Sequence, residues 1–117
     1  MRLYHFTCSD SAPVIAECGE LRPKLQPLLG RRLVWLTDLD APTREQVGLT
    51  SRLLACDRME YRVTVDFDAE RWAQYARTFA ARYRRHALIL NQTTGALPLH
   101  WWVSAEPVPV LSVERAR

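Results

Sequence analysis

From Met59 to Phe67 the chain alternates without a break: Met59, Tyr61, Val63, Val65 and Phe67 are apolar, and Glu60, Arg62, Thr64 and Asp66 between them are polar. Successive side chains of an extended strand point to opposite faces, so this period of two predicts a strand with one buried face and one wet or functional face. A half-buried strand needs neighbours along its edges, which commits the chain to a sheet. Other segments can supply them. In residues 2–7, Tyr4 and Phe6 fall on one side and Leu3, His5 and Thr7 on the other, as in a first strand. Leu33 to Thr37 is a continuous apolar run without helical period, read as a buried strand with Asp38 to Pro42 as its exit turn. His86 to Asn91 reads as a further apolar strand. Gly95 and Pro98 bracket a turn, and His100 to Glu106 begins a last strand that resumes after Pro107 and Pro109.

Helices are expected between these strands. Ser9, Asp10 and Ser11 are N-cap candidates, Pro13 fits only an opening turn, and Gly19 can close a helix of about two turns in the left-handed conformation. Leu21-Arg22-Pro23 then leaves in extended form, with a loop to Gly30. Thr43 and Gln46 match a capping box, so a helix is expected to run from there through Val47 and Leu54. Trp72, Tyr75, Phe79 and Tyr83 recur at three- and four-residue spacing, predicting a helix over 69–85 whose aromatic stripe is core. Strands in two groups with helices between, without βαβα alternation, give an α+β class: a small mixed or antiparallel sheet with two to three helices.

The 117 residues suit one domain spanning 1–117, large enough to bury a core without a staple. The apolar stretches are strand-sized and the N-terminus lacks a secretory pattern, so the expectation is a cytoplasmic protein with no membrane partner. Cys8, Cys18 and Cys56 are an odd, widely spaced set, expected as free thiols. A zinc site from His5, Cys8 and Cys18 or Cys56 is conceivable, but no C-x-x-C knuckle is present; small buried side chains are the preferred reading, and no metal is assigned.

Three patches resemble the ADP-ribosyltransferase fold. Tyr4-His5-Phe6-Thr7, a short helix and Gly19-Glu20-Leu21-Arg22-Pro23 resemble its opening, in which a first-strand histidine holds the NAD ribose. Val34-Trp35-Leu36-Thr37 resembles the strand lining the nicotinamide pocket, and Trp101-Trp102-Val103-Ser104-Ala105-Glu106 the late strand whose glutamate completes the site. The resemblance covers the whole chain loosely. It implies a split sheet, NAD as substrate, and a protein or nucleic-acid acceptor.

Elementary chemistry gives each residue a role. Cleaving nicotinamide from ribose develops positive charge on the sugar, which a carboxylate stabilises; Glu106 is the candidate. A neutral imidazole offers one donor and one acceptor to ribose hydroxyls, as His5 would, with Thr7 adding a hydroxyl. Trp35, Tyr61 or Trp102 can give the cationic nicotinamide an aromatic face, with Thr37 on the pocket strand. Arg22 or Arg52 can pair with the diphosphate. Taken singly, His5, Glu106 and the tryptophans have ordinary structural readings as surface or core residues.

Net charge is +3, yet Arg71, Arg77, Arg82, Arg84 and Arg85 crowd one segment. Such a run is ordinarily a solvated helix face; as a functional patch, Arg77, Arg82, Arg84 and Arg85 would dock an acidic partner or nucleic acid. The alternative to an enzyme is therefore a catalytically inactive binding module of phage or mobile-element origin. An RNA-binding domain rests on charge alone.

Overall fold

The computed structural model describes residues 1–49 and 56–116. Its described part is an α+β domain, with strands β1 (Arg2–Thr7), β2 (Glu20–Leu21), β3 (Lys24–Gln26), β4 (Arg31–Thr37), β5 (Tyr61–Asp66), β6 (Glu70–Arg71), β7 (Trp101–Ser104), β8 (Val108–Pro109) and β9 (Ser112–Arg115). Helices are α1 (Ala12–Cys18), α2 (Trp72–Ala76) and α3 (Ala81–Asn91), with one 3-10 turn at Pro98–His100. The main sheet has the order β6-β7-β4-β1-β5-β9, with β3 on β4, and every pairing is antiparallel. A separate ribbon pairs β2 with β8.

Each face of the sheet carries its own core. On the first, Leu3, Val34, Leu36, Val63, Val65 and Trp102 pack with Leu21 and Val108 of the small ribbon, joined by Ile15 of α1. On the second, Leu33, Trp101 and Val103 pack under Trp72, Phe79 and Ala87, with Trp35, Tyr75, Tyr83 and Leu90 around them. The alternation of β5 is as expected: Val63 and Val65 are fully buried and belong to the first core. α1 begins at its proline-bearing turn and stops at Gly19, whose φ of 74° is the left-handed geometry a glycine adopts cheaply and whose N–H caps the Ile15 carbonyl.

The segment from 69 to 91 differs from expectation. Glu70 and Arg71 add an edge strand to β7, α2 lasts only from Trp72 to Ala76, and the run expected as a strand at 86–91 is the second half of α3. Tyr83, Ala87 and Leu90 continue the buried stripe at helical spacing, leaving Leu88 and Ile89 55% and 51% exposed. A short apolar run does not reveal its period. The break between the helices is closed by Arg84, whose Nε donates to the Phe79 carbonyl at 3.0 Å, and by Trp72 Nε1 donating to Asn91 Oδ1 at 2.8 Å.

The capping box is present, with Thr43 N–H on Gln46 Oε1 and Gln46 N–H on Thr43 Oγ1, but only a turn follows it through residue 48. The Gln46 carbonyl, which a continuing helix would use, instead accepts Leu97 N–H at 3.1 Å and Trp101 Nε1 at 2.8 Å. The rest of that expected helix, with Leu54, lies outside the described residues. The expected loop before Gly30 contains β3, paired in register from Lys24↔Leu33 to Gln26↔Arg31.

Candidate functional site

β1 is zipped to β5 at every position from Arg2↔Asp66 to Thr7↔Tyr61, whereas its register with β4 is Tyr4↔Thr37 alone. Past that point the two strands part, and His5 bridges them: its Nδ1 lies 2.8 Å from the Trp35 carbonyl oxygen. A carbonyl can only accept, so Nδ1 carries the proton and Nε2 is left with a lone pair. Nε2 has no hydrogen-bond partner among the described residues, and none of their buried side-chain nitrogens or oxygens lacks one. The residue as a whole is half-buried.

Burial pulls the His5 pKa below the ordinary imidazole value of 6.5; the Trp35 carbonyl opposes this, and the positive charges of Lys24 and Arg58 add to it. At neutral pH the ring is neutral, held in one tautomer, and near two cations. Neither cation was selected from the sequence. Lys24 is the only lysine in the chain, which was the one available signal; Arg58 had none.

Facing residues of an antiparallel pair share a face, so Thr7 and Tyr61, directly opposed, stand with His5 on the first face. Thr7 is buried, and the half-exposed Tyr61 ring has the Arg115 guanidinium 5.9 Å from its centroid. Trp102 is on this face too, opposite Leu36. Its indole is already engaged, with Nε1 on Asp38 Oδ2 at 3.2 Å and the Arg71 guanidinium 4.7 Å above the ring. The other Asp38 oxygen is 2.6 Å from His100 Nδ1.

β1 and β7 flank β4 and run in the same direction, so their C-terminal ends meet at one end of the sheet. Beyond Ser104, which shares the His5 face, the chain turns: Ser104 Oγ donates to the Glu106 carbonyl at 2.8 Å and accepts the Glu106 N–H at 3.1 Å. Glu106 is exposed at the sheet end to which β1 delivers Thr7.

Trp35 and Thr37 are not with this group. Thr37 faces Tyr4, and both Thr37 and Trp35 project to the second face. The Trp35 ring lies 4.9 Å from Trp72 and 6.0 Å from Trp101, and the buried Thr37 hydroxyl accepts Leu39 N–H. Their strand is buried on both sides, so its sequence has no alternation that would assign a face. Trp35 contributes its carbonyl to the site, not its ring. Arg22 is paired at the surface with Glu20, Nε to Oε1 at 3.1 Å, and Arg52 lies outside the described residues.

No protein-family model, curated protein or solved structure matches the chain. The chemistry of the site is left to speak for function. A cavity of about 340 Å³ lies by the second face, lined by Phe6, Asp40, Pro42, Met59, Arg62 and Glu114 among others. His5 is not among its lining residues, and both of its cations are paired: Arg62 with Glu114 and with the Asp40 carbonyl at 3.0 Å, Arg115 with Glu60 at 3.0 Å. No helix among the described residues is long and apolar enough to cross a membrane.

Proposed function

We propose that the chain is a small ADP-ribosyltransferase that takes NAD as substrate and passes ADP-ribose to a protein or nucleic-acid acceptor. The observation that carries this reading is the neutral, single-tautomer His5 set where β1 and β4 part, its Nε2 free to accept a ribose hydroxyl. Thr7 and Tyr61 border it on the same face, and Lys24 and Arg58 supply positive charge for the diphosphate in place of the surface-paired Arg22. In the reaction the bond between ribose and nicotinamide breaks, its electron pair leaving with the nicotinamide. The acceptor's lone pair then forms the new bond to the same carbon, and its proton passes to solvent. Glu106 at the end of β7 is the carboxylate that faces the positive charge developing on the sugar.

Calorimetric titration with NAD at millimolar concentration tests the binding half of this reading. Saturable heat with the wild-type chain, lost in His5→Ala, is the expected result; no saturable heat with the wild-type chain would overturn it.

A second reading is supported by α2 and α3. Arg77, Arg82 and Arg85 are exposed beside the exposed Leu88 and Ile89, a mixed basic and apolar surface suited to an acidic partner protein or nucleic acid. On that reading the chain is a catalytically inactive binding module, and NAD turnover is absent while partner association depends on salt.

A further inference from the structure

We propose that Cys8, Asp10 and Cys56 form a zinc-binding site that ties the end of β1 and the entry to α1 to the segment leading into β5. The two sulfurs and an Asp10 carboxylate oxygen all lie within 4.8 Å of one another. Zinc bonds of ~2.3 Å to sulfur and ~2.0–2.2 Å to carboxylate oxygen set tetrahedral donors roughly 3.5–4 Å apart, so closure by about 1 Å completes the geometry. Two thiolates with one carboxylate are a borderline-soft set that suits zinc better than copper(I), which prefers sulfur alone, or magnesium and calcium, which prefer oxygen. Three donors among the described residues leave one of four positions for water or another ligand.

The scaffold around these donors is built. Cys8 and Asp10 come from one tight turn, closed by the Cys8 carbonyl accepting Ser11 N–H at 3.2 Å and Ala12 N–H at 3.0 Å. Burial raises the Cys8 thiol pKa, but hydrogen bonds from the Cys56 thiol and from the Asp10 and Ser11 N–H groups outweigh it and leave the pKa below its usual value. Cys56 arrives from far along the chain, and its neighbour Asp57 is pinned by Arg44 at 2.7 Å and by Met59 N–H at 2.9 Å. The Cys8 thiol beside it raises the Cys56 pKa.

The carboxylate decides between zinc and a simple redox pair. A disulfide between Cys8 and Cys56 has no use for Asp10, whose carboxylate, within 4.8 Å of both sulfurs, repels a thiolate on either. A divalent cation turns that repulsion into attraction. His5, three residues before Cys8, and the exposed Cys18 both lie outside this group of donors.

The test uses the reduced full chain with cobalt(II) as a spectroscopic probe, followed by zinc(II). The expected result is one tetrahedral cobalt per chain, bound with release of thiol protons and giving thiolate-to-cobalt charge-transfer absorption, which an equivalent of zinc then abolishes by displacing the cobalt. Cys56→Ser removes this absorption with the circular dichroism of the fold retained, which keeps the test open should Cys8→Ser fail to fold. Asp10→Asn weakens affinity by more than about tenfold, the lower bound seen even for outer-sphere partners. Cys18→Ser behaves as wild type. Absence of the charge-transfer band, its survival in Cys56→Ser, or equal affinity in Asp10→Asn would overturn the proposal. So would preferential formation of a Cys8–Cys56 disulfide in the presence of zinc.

Discussion

His5 Nδ1 sits 2.8 Å from the main-chain oxygen of Trp35, across the opening between β1 and β4, while the Trp35 indole points through to the opposite face of the sheet. One residue pair thus joins the candidate site to the aromatic core. The imidazole is fixed by a backbone group that no side-chain substitution at position 35 removes, and the indole is free to serve packing alone.

That division predicts the behaviour of Trp35→Phe. The ring loses contact with Trp72 and Trp101, costing about 1–3 kcal/mol of stability in denaturant unfolding, while the NAD titration retains the wild-type midpoint. An NAD affinity that falls with the ring would place the indole at the nucleotide after all.

Stability should depend on pH through His5. Its folded pKa lies below the unfolded value of 6.5, so the unfolded chain binds the extra proton first. The neutral imidazole's contribution is therefore complete above about pH 6.5 and lost as pH falls through the lower, folded pKa. Unfolding midpoints measured from pH 8 downward should decline more steeply for wild type than for His5→Gln, which has no group to titrate there.

The first strand, α1 with its glycine stop, the buried β4 and the alternating β5 were legible because each has a local cause: a period of two, a proline in a first turn, a left-handed cap. Residues 86–91 were not, because Ala87, Leu88, Ile89 and Leu90 are apolar whether or not they are buried, and only packing under the sheet distinguishes them. The turn at residues 44–48, where a helix after Thr43 was expected to begin, was not, because the Gln46 carbonyl is claimed by Leu97 and Trp101, far along the chain. In the site, the alternation of β1 correctly grouped His5 with Thr7, and their pairing with β5 adds Tyr61. The doubly buried β4 hid the fact that Trp35 and Thr37 belong to the other side. Lys24 and Arg58 act on His5 through space, which no spacing rule reveals.

The arginines of α2 and α3 should separate by role. Arg84→Glu breaks the Nε bond to the Phe79 carbonyl at the helix junction and costs roughly 1 kcal/mol. Replacing Arg77, Arg82 and Arg85 together by Glu should change stability by less than about 0.5 kcal/mol for each site. It should also weaken, and flatten the salt dependence of, association with an acidic partner or nucleic acid. Unfolding midpoints of the two variants, compared side by side, check the first part, and binding at two ionic strengths the second.

Gly95 provides a probe of the contact between the 43–48 turn and the loop after α3. Its φ is 80°, and a Cβ built there would come within 2.9 Å of Glu45 Cβ. Gly95→Ala should destabilise by more than about 1 kcal/mol, since both the backbone conformation and the clash oppose it. Relief in Gly95→Ala combined with Glu45→Gly, read in a double-mutant cycle, would assign the clash share to that contact.

Release of nicotinamide from NAD, followed by chromatography with purified wild type and Glu106→Gln side by side, bears most directly on the proposed chemistry. The site at the ends of β1 and β7 predicts release by wild type above the spontaneous rate and a fall of about 10²–10³-fold in Glu106→Gln, with unchanged NAD affinity and unfolding midpoint, because only transition-state charge stabilisation is removed. Equal rates for the two proteins, or wild type that binds NAD and releases no nicotinamide, would contradict it.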